Sequence, residues 1–179
     1  MQRLLAALLL ILPLLTACVQ IPDGITPVSN FELERYLGRW YEIARLDHRF
    51  ERDMQQVTAD YSMREDGGVR VLNRGFNTKT QEWDDAEGRA YFVQDEHTGF
   101  LKVSFFGPFF GSYVVTELEP ENYEYALISG PDRSYLWILA RTPQLPKDTL
   151  AALIARAKEL GFDTDTLILV NNDQLAIAE

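Results

Sequence analysis

The side chains able to do chemistry are few and far apart. The 179 residues contain two histidines and one cysteine. His48 follows Asp47, and His97 follows Asp95 and Glu96. Acid–base or metal chemistry needs such groups to converge on one site. These two sit in different turns, which an up-and-down chain places at opposite ends, so both read as solvated loop histidines. The pair Asp84-Asp85 reads as a wet turn. There is no Gly-x-Ser-x-Gly, His-Glu-x-x-His or phosphate-binding glycine loop. No catalytic residue, no metal ligand and no cofactor are therefore expected. The third group is Cys18, at the end of the apolar run 4–15, which follows Arg3 and is broken only by Pro13. A nucleophilic thiol wants a cationic, partly exposed pocket. The end of an apolar leader offers none, so the chemistry expected at Cys18 is modification.

A charged start, an apolar core and small residues make the layout of a secretory leader. The run is short of the ~20 residues a membrane span needs. Leu15-Thr16-Ala17-Cys18 resembles the lipobox of bacterial lipoproteins. That resemblance implies removal of 1–17 and acylation of Cys18, whose chains anchor the protein to a membrane. Val19, where an aspartate would favour the inner membrane, implies the outer membrane, with the domain facing the periplasm. Each buried methylene adds ~0.8 kcal/mol, so two chains hold where one is marginal. The stretch 18–29, with Pro22, Gly24 and Pro27, reads as the acylated cysteine and a tether. A domain over 30–171 and a tail over 172–179 complete the chain.

Charge excludes some partners. The net charge is −10, and losing Arg3 with the leader makes it one unit more negative. A nucleic-acid binder needs a basic face. Net charge also brings no attraction to anionic lipid, so membrane attachment is expected through the anchor.

The elements that must position a site follow from periodicity. Asn30 is placed to cap a turn over 31–37, which Gly38 ends. In 56–64, Val57, Ala59, Tyr61 and Met63 alternate with polar residues, the signature of a half-buried strand. The turn 65–68 leads to a return strand, 69–77, with Val69, Val71, Asn73 and Gly75 on one face. Strands 38–46, 87–94, 100–106, 112–118, 123–129 and 134–141 make eight, joined by short loops. This predicts a mainly all-β fold, an eight-stranded antiparallel up-and-down barrel. A helix over 146–161 carries one apolar stripe, Leu150, Leu153, Ile154, Ala157 and Leu160. A last strand, 166–170, follows. Strand 134–141 is apolar on both faces, so the helix is placed over its outer face.

Closure of eight alternating strands pairs the first with the eighth at the lower end. Trp40 and Arg141 should then meet and seal the floor, with cation–π attraction of roughly 0.5–2 kcal/mol. Gly38-Arg39-Trp40-Tyr41-Glu42 resembles the Gly-x-Trp motif that opens lipocalins. Asn122-Tyr123 partly matches a second motif, and Arg141 matches the closing arginine. The stretches 36–45 and 104–109 are similar to bacterial lipocalins, outer-membrane lipoproteins related to apolipoprotein D. The resemblance covers about residues 30–171, and it implies structural roles for Gly38, Trp40, Tyr123 and Arg141.

An eight-stranded barrel holds packed side chains or one small ligand. Alternation points Tyr61, Asn73, Phe92, Val103, Phe105, Tyr113, Val115, Trp137 and Leu139 inward. That wall suits a long apolar tail with a polar head. Phe105 and Tyr113 are expected near the mouth. Gly75 is expected to free volume, and the buried amide of Asn73 to need a partner. What the resemblance implies is binding of fatty acids or lysophospholipids, for storage or transport of membrane lipids in a stressed envelope. A filled-barrel structural lipoprotein and a lipid-modifying enzyme remain alternatives, and a homodimer is left open.

Overall fold

Gly38 opens the barrel at φ +91°, in the left-handed region that glycine tolerates. The chain then enters β1 (Gly38–Arg45). The computed structural model describes residues 19–173. The expected leader, Cys18 and residues 174–179 lie outside the described residues. The following strands are β2 (Met54–Met63), β3 (Val69–Asn77), β4 (Glu82–Phe92), β5 (Phe100–Phe106), β6 (Phe109–Leu118), β7 (Tyr125–Ser129) and β8 (Leu136–Ala140). Each pairs antiparallel with the next, and β1 pairs with both β2 and β8. The sheet is therefore closed, which removes its exposed edges. A short helix, α1 (Leu33–Tyr36), precedes β1, and α2 (Lys147–Glu159) follows β8. A 3-10 turn (Thr164–Thr166) leads to β9 (Ile168–Leu169), which pairs with the upper half of β1.

The pleat divides the apolar residues into two layers. Inside lie Phe31, Trp40, Val71, Leu101, Ala126 and Ile128. Outside, Ile138, Leu136 and Ala140 of β8 pack with Leu127 and with Leu153 and Ala157 of α2. The helix covers the outer face of β8, as its single stripe required. The phase of β7 is settled as well: Ala126 and Ile128 point in, and Leu127 points out.

Three local expectations within the barrel need correction. Asn30 does not cap α1: it takes φ 57°, and Glu32 precedes the helix without a side-chain cap. The Phe31 N–H instead donates to the His97 carbonyl, and the Glu32 N–H to Tyr123 Oη. Strand β4 begins at Glu82, so Asp84 and Asp85 belong to a strand. Asp85 lies 3.5 Å from Arg74, and Trp83 packs edge-on against Phe76. Cross-strand pairs of this kind extend the ladder. Strand β6 begins at Phe109, which reduces the expected loop to the link between Phe106 and Phe109.

The stretch after Cys18 is not a free tether. Ile25 is buried in the outer layer, with Val19 and Ile21 packed against it. The Gln20 N–H donates to Ser112 Oγ at 2.8 Å, and the Val28 N–H to the Val115 carbonyl at 2.9 Å. Three apolar residues spaced through 19–25 gain more by covering sheet than by staying in water. The segment starts beside the β7–β8 loop, where Gln20 Nε2 meets the Pro131 carbonyl, and descends to the floor.

Candidate functional site

The floor is built from α1, the start of β1 and the residue after β8. The Arg141 guanidinium stacks 3.9 Å from the Trp40 ring. It donates to the carbonyls of Arg35, Arg39 and Tyr123 at 2.7, 2.9 and 3.3 Å. Trp40 is fully buried, and its Nε1–H donates to the Tyr36 carbonyl at 2.8 Å. Tyr123 adopts φ 57° and lies under the guanidinium of Arg35, 4.0 Å away. This end is a plug of stacked rings and paired donors.

Just above it, three phenols share hydrogen bonds. Tyr113 Oη lies 2.6 Å from Tyr36 Oη and 3.0 Å from Tyr61 Oη. Burial raises all three above the usual phenol range, so they remain neutral. Tyr113 is therefore not a mouth residue. It faces Leu101, near the lower end of β5, and its hydroxyl reaches the floor helix.

The predicted lining converges on the inner face. Tyr61, Phe92, Val103, Phe105, Tyr113, Val115, Trp137 and Leu139 belong to one apolar cluster. Asn73 sits opposite Ala59 on the same face. Within this set the burial differs in a telling way. Val115 is fully enclosed, and Tyr61 and Leu139 are nearly so. Ala59, Asn73, Val103, Phe105, Tyr113 and Trp137 are only half-buried although they point inward. They leave the inner wall above the floor only partly covered. Asn73 Oδ1 is buried and has no hydrogen-bond partner among the described residues. Gly75 does not free the expected volume: a Cβ there would press on Val57 at 3.3 Å, so Val57 and Met54 already fill that place. The glycine that shapes the wall is Gly88, because Phe105 lies flat across it and a Cβ would come within 2.8 Å of the ring.

Sequence reasoning missed the polar cluster under the mouth. Glu42 and Arg45 are both buried, with Arg45 Nη1 donating to Glu42 Oε1 at 2.7 Å. Arg45 Nη2 donates to the carbonyls of Glu51 and Met54 at 2.7 and 3.1 Å. This draws the β1–β2 loop over the mouth. Trp137 Nε1–H donates to Glu51 Oε2 at 2.9 Å. The parity of β1 was the available signal: if Trp40 points inward, so does Glu42. Burial, with Glu51 close by, pushes Glu42 up to about 8 and raises Glu51 as well. Both carboxyls beside this guanidinium are thus shifted toward their neutral form.

His48 corrects the expectation of a solvated loop. It is 4% exposed, stacked between Phe50 and Tyr135 at 5.2 and 5.0 Å, with Trp137 4.7 Å away. Burial, then the Arg45 charge, lowers it to about 4, so the imidazole is neutral at neutral pH. His97 is exposed at the opposite end, and the two do not meet. Two shallow grooves of about 490 and 540 Å³ lie on the outer surface, one beneath the floor and one along α2. Neither includes a residue of the half-open wall.

Comparison with known proteins agrees with this geometry. Residues 31–172 match the model of the lipocalin-like domain. The outer membrane lipoprotein Blc of Vibrio cholerae is 57% identical over 157 residues, covering 88% of this chain and 92% of that protein. The protein of the same name from Escherichia coli K12 is 52% identical over 149 residues, covering 83% and 84%. Mouse apolipoprotein D is 30% identical over 148 residues, covering 78% and 76%. Among solved structures, insecticyanin from the tobacco hornworm superposes with a TM-score of 0.68 at 20% identity, covering 88% of this chain and 89% of that one. At that identity the likeness speaks for the fold alone.

Proposed function

The chain belongs to the lipocalin family, and from that premise we propose that it is a lipid-binding lipoprotein of the bacterial outer membrane. It holds a fatty acid or lysophospholipid in its barrel, for storage or transport of membrane lipids within the envelope. Lipocalins bind small hydrophobic ligands. The observation that carries the lipid reading is the half-open inner wall above a sealed floor. Val103, Phe105 and Trp137 offer apolar surface to a tail. Asn73 Oδ1 offers an acceptor that lacks a donor. A narrow apolar cavity with few polar points suits a single-chain amphiphile. The reading is of a binder and not a catalyst, since Glu42 and Arg45 are engaged with each other, Arg45 with the loop carbonyls, and the Glu51 carboxylate with Trp137. The envelope location is supported by the leader pattern ending at Cys18 and by the names of the relatives.

The test is titration of the chain from residue 18 onward, carrying Cys18→Ser and stripped of lipid. A long-chain fatty acid or lysophospholipid should change tryptophan emission and saturate at one site, because Trp137 lines the lumen. An unchanged spectrum at micromolar lipid, with the fold intact, would sink the proposal in favour of a filled barrel. Release of free fatty acid from a phospholipid would instead mark an enzyme.

A further inference from the structure

Most of the exposed large apolar side chains among the described residues stand toward the mouth end, the aromatics Phe50, Trp83, Phe106 and Phe109 among them, while Met63 and Val93 are exposed at the floor end. Phe106 and Phe109 are the most exposed, at 79% and 67%, and they face each other across the tip of the β5–β6 hairpin. Isolated exposed apolar residues are ordinary, but paired aromatics at a hairpin tip mark an interaction surface. Two cations stand below them on the same wall, Arg89 opposite Ser104 and Lys102 opposite Ser112. The Arg89 guanidinium and the Lys102 ammonium lie 5.7 and 5.2 Å from the Phe110 ring. Arg89 Nη2 rests against the backbone of Gly107, where a Cβ would come within 2.8 Å. Neither cation has an ion pair among the described residues, although acidic side chains outnumber basic ones across the chain. The docked N-terminal segment begins at this same end, with Gln20 held by Ser112 and Pro131.

We propose that the β5–β6 tip is a membrane-docking wedge: Phe106 and Phe109 enter the interfacial zone of a phospholipid bilayer while Arg89 and Lys102 meet lipid phosphates. Aromatic rings are favoured at that depth, and cations beside them gain from anionic headgroups. The wedge adds to what an acyl anchor supplies and turns the mouth toward the bilayer. That last consequence rests on the reading of Cys18 as an anchor, because Val19 leaves the barrel wall at the mouth end. Such a wedge accounts for two basic residues that stand beside this hairpin without an ion pair among the described residues.

The test uses the chain from residue 18 onward carrying Cys18→Ser. Residues 19–173 contain every strand and both apolar layers, so this is the folding unit. The probe is flotation with phosphatidylcholine vesicles containing about a quarter phosphatidylglycerol. The parent should co-float, and Phe106→Ser with Phe109→Ser should lower partition by about ten-fold. Lys102→Ala should weaken binding to these vesicles more than to pure phosphatidylcholine. Lipid titration in solution should be unchanged in the double variant, which separates failure of the wedge from failure of the ligand reading. Equal flotation of parent and double variant would overturn the wedge, as would no flotation of the parent. Conversion of a lipid-free dimer to monomers by the double variant, with flotation unchanged, would also overturn it and assign the tip to a second copy of the chain.

Discussion

Replacing Arg141 with alanine tests whether the floor is a structural clamp. In the folded chain this guanidinium stacks on Trp40 and donates to three carbonyls from three separate segments. The stack contributes about 0.5–2 kcal/mol. Hydrogen bonds from a charged donor contribute about 1.5–3 kcal/mol each, and they are not additive. Arg141 is only half-buried, so water can reach part of what alanine would vacate. The net loss should therefore be about 3 kcal/mol, toward the low end of these ranges. For a domain of this size that lowers Tm by about 6–12 °C. Thermal unfolding followed by circular dichroism reads this directly. Arg141→Lys keeps a cation above Trp40 but cannot span three carbonyls, and it should recover about a third of the loss. Lipid affinity, measured well below the lowered Tm, should change little, since Arg141 lies beneath the three phenols and not in the lumen. A variant that unfolds within about 2 °C of the parent would refute the clamp. Lost binding at unchanged Tm would show that the floor belongs to the ligand site.

Other perturbations address the wall, the mouth and the anchor. Trp137→Ala should weaken lipid binding by about ten-fold in a fluorescence displacement assay, since it removes lumen surface worth roughly 1.5–3 kcal/mol. Because folded His48 sits at about 4, below its ordinary value, its contribution to stability is complete above pH 6.5 and is lost as pH falls toward 4. Glu42 opposes this between pH 4.5 and 6.5, so urea midpoints should fall over the window, by up to about 3 kcal/mol in stability, in a Glu42→Gln background, and adding His48→Phe should abolish that fall. Glu42 is shifted the other way, up to about 8, so its contribution declines as pH rises from 4.5 toward 8. In Glu42→Gln that alkaline decline should disappear while the acceptor for Arg45 is kept. Leu153→Ala, which opens the buried seam between α2 and the barrel, should cost about 2–5 kcal/mol in chemical denaturation. Cys18→Ser should move the protein from the membrane pellet toward the soluble fraction on cell fractionation without loss of lipid binding.

The barrel was legible because alternation and a one-sided helix are local signals. Strand β2 shows period two over its own length, and α2 shows its stripe within thirteen residues. Closure followed from counting strands, which set Arg141 on Trp40 across the whole domain. What escaped was set by long-range contact. The fixing of 19–29 depends on single bonds such as Gln20 to Ser112, 92 positions apart, and three apolar residues among prolines carry no period. The ends of β4 and β6 depend on cross-strand partners, Arg74 for Asp85 and Phe106 for Phe109, that compete with turn propensity. His48 looked solvated beside Asp47, yet Phe50, Tyr135 and Trp137 supply a stack that no neighbour in sequence announces. Glu42 was within reach, since it shares the parity of Trp40. A buried carboxylate was not expected from β1 because only its partner Arg45 makes it tolerable.

The two ends of the barrel are held by different physics. The floor is secured by packed rings and by donors that all find acceptors, so opening it would expose Trp40 and strand three carbonyls at once. The mouth is covered by a loop held through few groups: Arg45 on the Glu51 and Met54 carbonyls, and Trp137 on the Glu51 carboxylate. Trp137 is also the wall residue that bonds this loop, so loop and wall are tied by one side-chain hydrogen bond, at the end of the barrel where Phe106, Phe109 and the start of the docked N-terminal segment also lie.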